Sequence, residues 1–190
     1  MAMNRLAIGA IGALALIGSL ALPAQASDSS DVTLTGGSLT ITNPSVSDVS
    51  GVTLDGTAQQ GSATMDSFDV ADARGDGTGW NVTVEATRFA EWAAGDYVSS
   101  GKLLPSSSLS MPLLSVSKID PTSSDLPTVA AGPYAIDSGS AVQVASAAAD
   151  GTGMGSYTFL QGGALTLSVP ASAYALTFRS DVTVSVNTGP

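Results

Sequence analysis

The chain has 190 residues, with 16 Asp and Glu against 6 Lys and Arg, and neither cysteine nor histidine. Without cysteine there is no disulfide framework, thiolate nucleophile or thiolate metal site, and without histidine every Ser-His-Asp or Cys-His arrangement is excluded. A net charge of −10 argues against nucleic-acid binding, which needs lysine and arginine at the phosphates.

Residues 1–26 read as a secretory signal peptide. Arg5 is the only charge before Asp28, Leu6 to Leu22 is an apolar run ending at Pro23, and Ala24-Gln25-Ala26 is an A-x-A cleavage site. Cleavage after Ala26 leaves residues 27–190, one domain's length with net charge −11. This part carries no second spanning run, no LPxTG-like sorting signal and no basic tail, so any attachment to a cell is expected to be non-covalent.

Downstream, apolar residues recur with period two, the spacing of half-buried strands. Leu39 and Ile41 begin the series, followed by Val82 and Val84, then Leu165, Leu167 and Val169. Tyr174, Leu176 and Phe178 continue it, and Val182, Val184 and Val186 close it. Gly, Asn, Asp and Ser separate the runs as turns require. The expected fold is all-β, an antiparallel β-sandwich of Greek-key or Ig-like type with long Pro/Ser-rich loops. A short helix competes only in 87–97 and 140–149, where alanines accumulate. Five of the nine prolines fall between Leu104 and Tyr134, which predicts edge strands and long loops there.

The segment from Phe68 to Val84 holds most of the chemistry. Gly75, Gly77 and Gly79 make a tight loop that delivers Trp80 onto a strand. Phase with Val82 and Val84 puts Trp80 on the buried face, with an exposed carbohydrate platform as the other reading. Trp92, among charged residues, is compatible with core or surface. Asp69, Asp72 and Asp76 could offer oxygens to calcium from one loop, although Arg74 among them already supplies a counter-charge. No other cofactor is implied. A second Asp-Gly-Thr-Gly string, Asp150 to Gly153, also leads into a strand, and the two turns are positioned to face each other across a sandwich.

These residues resemble the WxL-domain family, secreted bacterial proteins that attach non-covalently to the Gram-positive cell wall. The first family motif is similar to Asp72-Ala73-Arg74-Gly75 followed by Gly79-Trp80-Asn81-Val82, with valine for leucine. The distal pattern Tyr-x-x-x-Leu-Thr-Trp-x-Leu-x-x-x-Pro matches the spacing of Phe178 to Pro190, with Phe178 for tyrosine, Val184 for tryptophan, and Val182 and Val186 for the leucines. The resemblance implies a cell-surface protein that binds peptidoglycan or another wall polymer, with other surface proteins as further partners. It also implies that Arg74, Trp80, Val82, Phe178, Thr183 and Val184 carry the binding. The alternatives are a structural subunit of a surface layer, filament or surface complex, and a carboxylate glycosidase using a pair such as Asp76 and Glu85. The scarcity of aromatic residues, 5% of the chain, stands against a catalytic sugar cleft, so no enzyme activity is expected.

Overall fold

The computed structural model describes residues 30–190, so the signal-peptide assignment lies outside the described residues. Residues 34–190 form one compact unit. The described chain is all-β, without a helix. In chain order the strands are β1 (Leu39–Ile41), β2 (Gln59–Ala63), β3 (Phe68–Asp72), β4 (Trp80–Ala86), β5 (Ala90–Ala93), β6 (Asp96–Tyr97), β7 (Leu109–Met111) and β8 (Leu114–Lys118). There follow β9 (Thr128–Val129), β10 (Tyr134–Ala135), β11 (Val142–Ala147), β12 (Gly155–Gln161), β13 (Leu165–Val169), β14 (Phe178–Arg179) and β15 (Val182–Thr188).

Four antiparallel ladders organise them, in the orders β1-β3-β12-β8, β10-β7-β13-β2, β15-β4-β11-β9 and β14-β5-β6. This is consistent with the expected β-sandwich, and period two is the reason. In β4, Trp80, Val82, Val84 and Ala86 are buried while Asn81, Thr83 and Glu85 between them are not. The same alternation in β3 and β13 sends Phe68, Val70, Leu165 and Leu167 into the core, where Phe68 stacks on Phe159 with ring centroids 5.1 Å apart. The alanine-rich stretch near 140–149 is strand β11, because Val144, Ala145 and Ala147 find burial against β4.

The Pro/Ser-rich segment follows expectation in placing β8, β9 and β10 at ladder edges. β7 departs from it by lying inside its ladder, which is possible because Pro105 and Pro112 flank Leu109–Met111 rather than interrupt it. The buried Asp137 carboxylate anchors this segment, accepting bonds from the Ser108 N–H at 3.1 Å, the Ser108 hydroxyl at 3.0 Å and the Leu109 N–H at 3.0 Å. The alternation of Tyr174, Leu176 and Phe178 does not give one strand. Only Phe178 enters β14, while Tyr174 and Leu176 sit in exposed turns after Pro170, where Ala173 N–H bonds back to the Pro170 carbonyl.

Four turns repeat one device, an Asp whose carboxylate accepts the backbone N–H and the hydroxyl of the Thr two residues on: Asp55/Thr57, Asp76/Thr78, Asp120/Thr122 and Asp150/Thr152. Those bonds hold all four carboxyl groups below the usual carboxylate pKa. A carboxyl whose pKa is depressed by folding stabilises the fold above its unfolded pKa of about 3.9, and that contribution disappears as pH falls through the folded value. We therefore expect the urea midpoint to be flat from pH 7 to about 5 and to fall below about pH 4. Asp150→Asn should lower the plateau and flatten the acid limb, and an unchanged acid limb would show that the turns do not contribute to it.

Candidate functional site

The two motif regions occupy very different environments. At the Arg74 loop, Gly75, Gly77 and Gly79 have φ of 73°, 64° and 73°, a left-handed geometry that favours glycine. A side chain at Gly79 would strike the Ala147 carbonyl oxygen. The two Asp-Gly-Thr-Gly turns do meet, since a Cβ at Gly77 would stand 3.4 Å from the Gly151 nitrogen. Arg74 closes the loop from inside. Its Nε and Nη2 bond the two Asp72 oxygens at 2.9 Å each, Nη2 also bonds the Gly79 carbonyl at 2.8 Å, and Nη1 bonds the Thr78 hydroxyl at 2.8 Å. The Asp72 bond, above all, holds the guanidinium pKa above its ordinary value. Trp80 is fully buried, donates Nε1–H to the Gly153 carbonyl at 3.0 Å, and packs edge-on to Phe159 with centroids 6.3 Å apart.

Arg74, Trp80 and Val82 thus belong to the packed interior and its lock, and Val184, 8% exposed, joins them opposite Val84. Thr183 is exposed on the outer face of β15, and Phe178 is half-buried. The three acidic residues do not converge. Burial alternation along β3 sends Asp69 and Asp72 to opposite faces, both Asp72 oxygens are engaged by Arg74, and Asp76 caps Thr78. Among the described residues no group of three carboxylates is placed to hold a metal ion.

A different surface forms around β5, β6 and β14. Ala94 and Gly95 take φ of 55° and 88°, the pair of positive values that a tight two-residue hairpin turn demands. The hairpin sets Trp92 opposite Tyr97, edge to face at 4.9 Å. The Arg179 guanidinium lies 4.5 Å from the Trp92 ring, a cation–π contact. Asp181 joins the group by accepting the Tyr97 hydroxyl at 2.7 Å and standing 3.6 Å from Arg179 Nε. Desolvation first, and then the Asp181 carboxylate, raise the Tyr97 pKa above its ordinary value. Beside this group opens a cleft of about 640 Å³, walled by Trp92, Phe178, Arg179, Asp181 and Asp48 and floored by core residues such as Leu165. Its volume falls within the range of small-molecule sites, and polar and apolar groups share its lining. Nearby, Lys102 Nζ stands 4.6 Å from the centre of the exposed Tyr174 ring.

Of the residues carried over by resemblance, Phe178 alone lines this cleft, while Thr183 and Val184 line a smaller one next to it. Sequence reasoning missed Tyr97, Arg179, Asp181 and Asp48 because they lie far apart in the chain, and the Ala94-Gly95 turn lacks the Asn-Gly or Asp-Gly signature of a hairpin. The unplaced Trp92 was the one available signal.

The family model for the WxL domain, described as surface cell wall-binding, matches residues 37–190. Comparison with curated proteins gives no match, and comparison with solved structures gives none. The family match takes in both motif regions and every strand from β1 to β15, so the chain belongs to the WxL-domain family of cell-wall-binding surface proteins.

Proposed function

We propose that this is a secreted, non-catalytic surface protein that holds peptidoglycan non-covalently in the Trp92 cleft. The observation that carries this reading is the cleft itself, where an aromatic ring, a guanidinium and two carboxylates border an apolar floor. The C–H face of a pyranose packs on an aromatic ring, its hydroxyls donate to carboxylates, and a guanidinium donates to ring, hydroxyl or amide oxygens. Charge supports the location. Three of the five cations after residue 26, Arg88, Lys102 and Arg179, lie on or beside β5 and β14, so repulsion between an acidic chain and an anionic wall is weakest there. A non-catalytic role fits the carboxylates. Glu85 is five residues along β4 from Trp80, about 17 Å of strand at 3.3 Å per residue, while Asp76 is occupied in the loop before that strand, accepting the Thr78 N–H and hydroxyl.

The test is co-sedimentation of the folded protein with purified sacculi. Aromatic and Arg anchors at the centre of a binding site are worth about 2 kcal/mol or more, so Trp92→Ala and Arg179→Ala should each weaken binding about 30-fold. Contact-driven binding should survive chelator and strengthen with moderate salt, which screens the repulsion. Loss of binding in chelator would instead make bridging calcium the attachment. Unchanged binding by both variants would remove the cleft from the mechanism, and a wild type that stays in the supernatant would remove peptidoglycan.

A further inference from the structure

The charged residues lining the Trp92 cleft are Asp48, Arg179 and Asp181. Two of them are matched to each other: Asp181 stands 3.6 Å from Arg179 Nε and accepts the Tyr97 hydroxyl, and the guanidinium lies over the Trp92 ring. Asp48 is different. Its main-chain carbonyl accepts the Ser47 hydroxyl, but no hydrogen bond or ion pair among the described residues engages its carboxylate. The other cations of this flank are occupied elsewhere. Arg88 donates to the Leu104 carbonyl, Lys102 stands over the Tyr174 ring, and neither lines the cleft. The cleft therefore carries one uncompensated negative charge.

The segment that presents Asp48 is fixed on both sides of it. Ser47 and Ser50 N–H bond the Thr64 and Ser62 carbonyls at 2.8 and 2.7 Å, and their hydroxyls accept the Thr64 and Ser62 N–H at 2.9 and 3.0 Å. Val49, between them, packs against the core. Asp48 is thus a positioned carboxylate, and it shares the walls with the ring of Phe178 over a floor that includes Leu109 and Leu165.

These features select a charged donor. A ligand that fills the cleft takes Asp48 out of water; a sugar hydroxyl leaves its charge uncompensated, whereas an ammonium supplies both the charge and the donors. The apolar floor suits an aliphatic chain carrying that ammonium, and an aromatic wall favours a cation over a neutral donor. We propose that the cleft recognises a primary ammonium at the end of an aliphatic chain, the group presented by the diamino acid of an uncross-linked peptidoglycan stem peptide. This rests on the Trp92 cleft being the wall site and names the part of the polymer that enters it. Cross-linking converts the amine to an amide and removes its charge, so the protein selects open wall over cross-linked wall. An acidic chain on an anionic wall also gains by binding at one of the wall's own cations.

The experiment is co-sedimentation at fixed ionic strength with sacculi freed of accessory polymers, either untreated or with their amines acetylated. It compares the secreted chain with Asp48→Asn and with Asp31→Asn, which removes the same charge from an exposed residue that does not line the cleft. Asp48 is itself exposed, so both variants should keep the wild-type melting curve. Acetylation should weaken binding of the wild type and of Asp31→Asn about tenfold, the scale of one close charge pair. Asp48→Asn should be weaker by the same factor on untreated sacculi and respond little to acetylation, because both changes remove one contact. A soluble stem peptide with a free side-chain amine should displace the wild type, and its side-chain-acetylated form should not. Displacement by glucosamine oligomers and not by the peptide would put the ammonium on the glycan and overturn the assignment. Equal losses on acetylation in Asp48→Asn and the wild type would reduce the effect to general repulsion and overturn the proposal, while weakened binding by Trp92→Ala would leave the cleft as the wall site. A wild type that ignores untreated sacculi would overturn both.

Discussion

Trp80→Ala should cost about 3–5 kcal/mol of stability, the range for truncating a fully buried tryptophan. Two losses combine. The indole fills the space between Tyr157 and Phe159, at centroid distances of 6.4 and 6.3 Å, and its removal leaves a cavity that a strand bonded on both sides cannot collapse to fill. It also orphans the Gly153 carbonyl, which accepts Nε1–H at 3.0 Å from inside the protein. For a chain of this length the melting temperature should drop by about 10 °C or more. Trp80→Phe keeps one six-membered ring and loses the hydrogen bond with the pyrrole part of the indole, so it should cost clearly less than Trp80→Ala. Thermal and urea melts of both variants are the measurement. Wall binding measured well below the melting temperature should persist in Trp80→Phe. A Trp80 variant of unchanged stability that no longer pelleted with sacculi would make this residue a ligand platform and displace Trp92 from the role proposed for it.

The contrast between the two tryptophans also marks what the sequence could and could not convey. Trp80 shares period two with Val82 and Val84, and burial of one face of a strand is a local rule, so its place in the core was legible from three residues. The meeting of the two Asp-Gly-Thr-Gly turns was legible for a related reason, since each leads into a strand that enters the core, β4 directly and β12 after Met154. Trp92 obeys no such rule. Its neighbours in space come from β6, β14 and the turn at Asp181, and only the long-range pairing of Phe178 with Glu91 brings β14 alongside β5. The run Tyr174-Leu176-Phe178 misled for the opposite reason: a local alternation was present, but Pro170 and the turn after it left its first two members in solvent. The motif resemblance identified the family correctly and yet pointed to residues that hold the domain together. Arg74 and Trp80, with Val82 at the position of the pattern's leucine, here close a loop and fill a core, while the cleft beside Trp92 takes only its wall of residues 178–182 from a motif.

Arg74→Leu should be nearly as damaging as Trp80→Ala, and for an electrostatic reason. The Asp72 side chain is 1% exposed on the core face of β3, and the 13% exposed guanidinium is its counter-ion and the donor to both of its oxygens. Removing that donor leaves a buried carboxylate with one backbone N–H, its bond from Arg74 N at 3.1 Å, and also frees the Gly79 carbonyl and the Thr78 hydroxyl. Breaking a buried pair from one side costs about 3–5 kcal/mol. Arg74→Lys should recover little of it, because an ammonium cannot bridge two carboxylate oxygens, a carbonyl and a hydroxyl at once. The double variant Asp72→Leu/Arg74→Leu should be more stable than Arg74→Leu, since the dominant penalty is the unpaired charge rather than the loss of an attraction. A double-mutant cycle in urea should therefore give a coupling of about 2 kcal/mol or more. Additive losses would mean that the pair is solvated and that Arg74 is available to a ligand. If the coupling is large, and the double variant still pellets with sacculi while folded, then the Arg74 motif serves the wall-binding domain by holding its loop shut, and recognition belongs to the surface that Trp92 and Arg179 present.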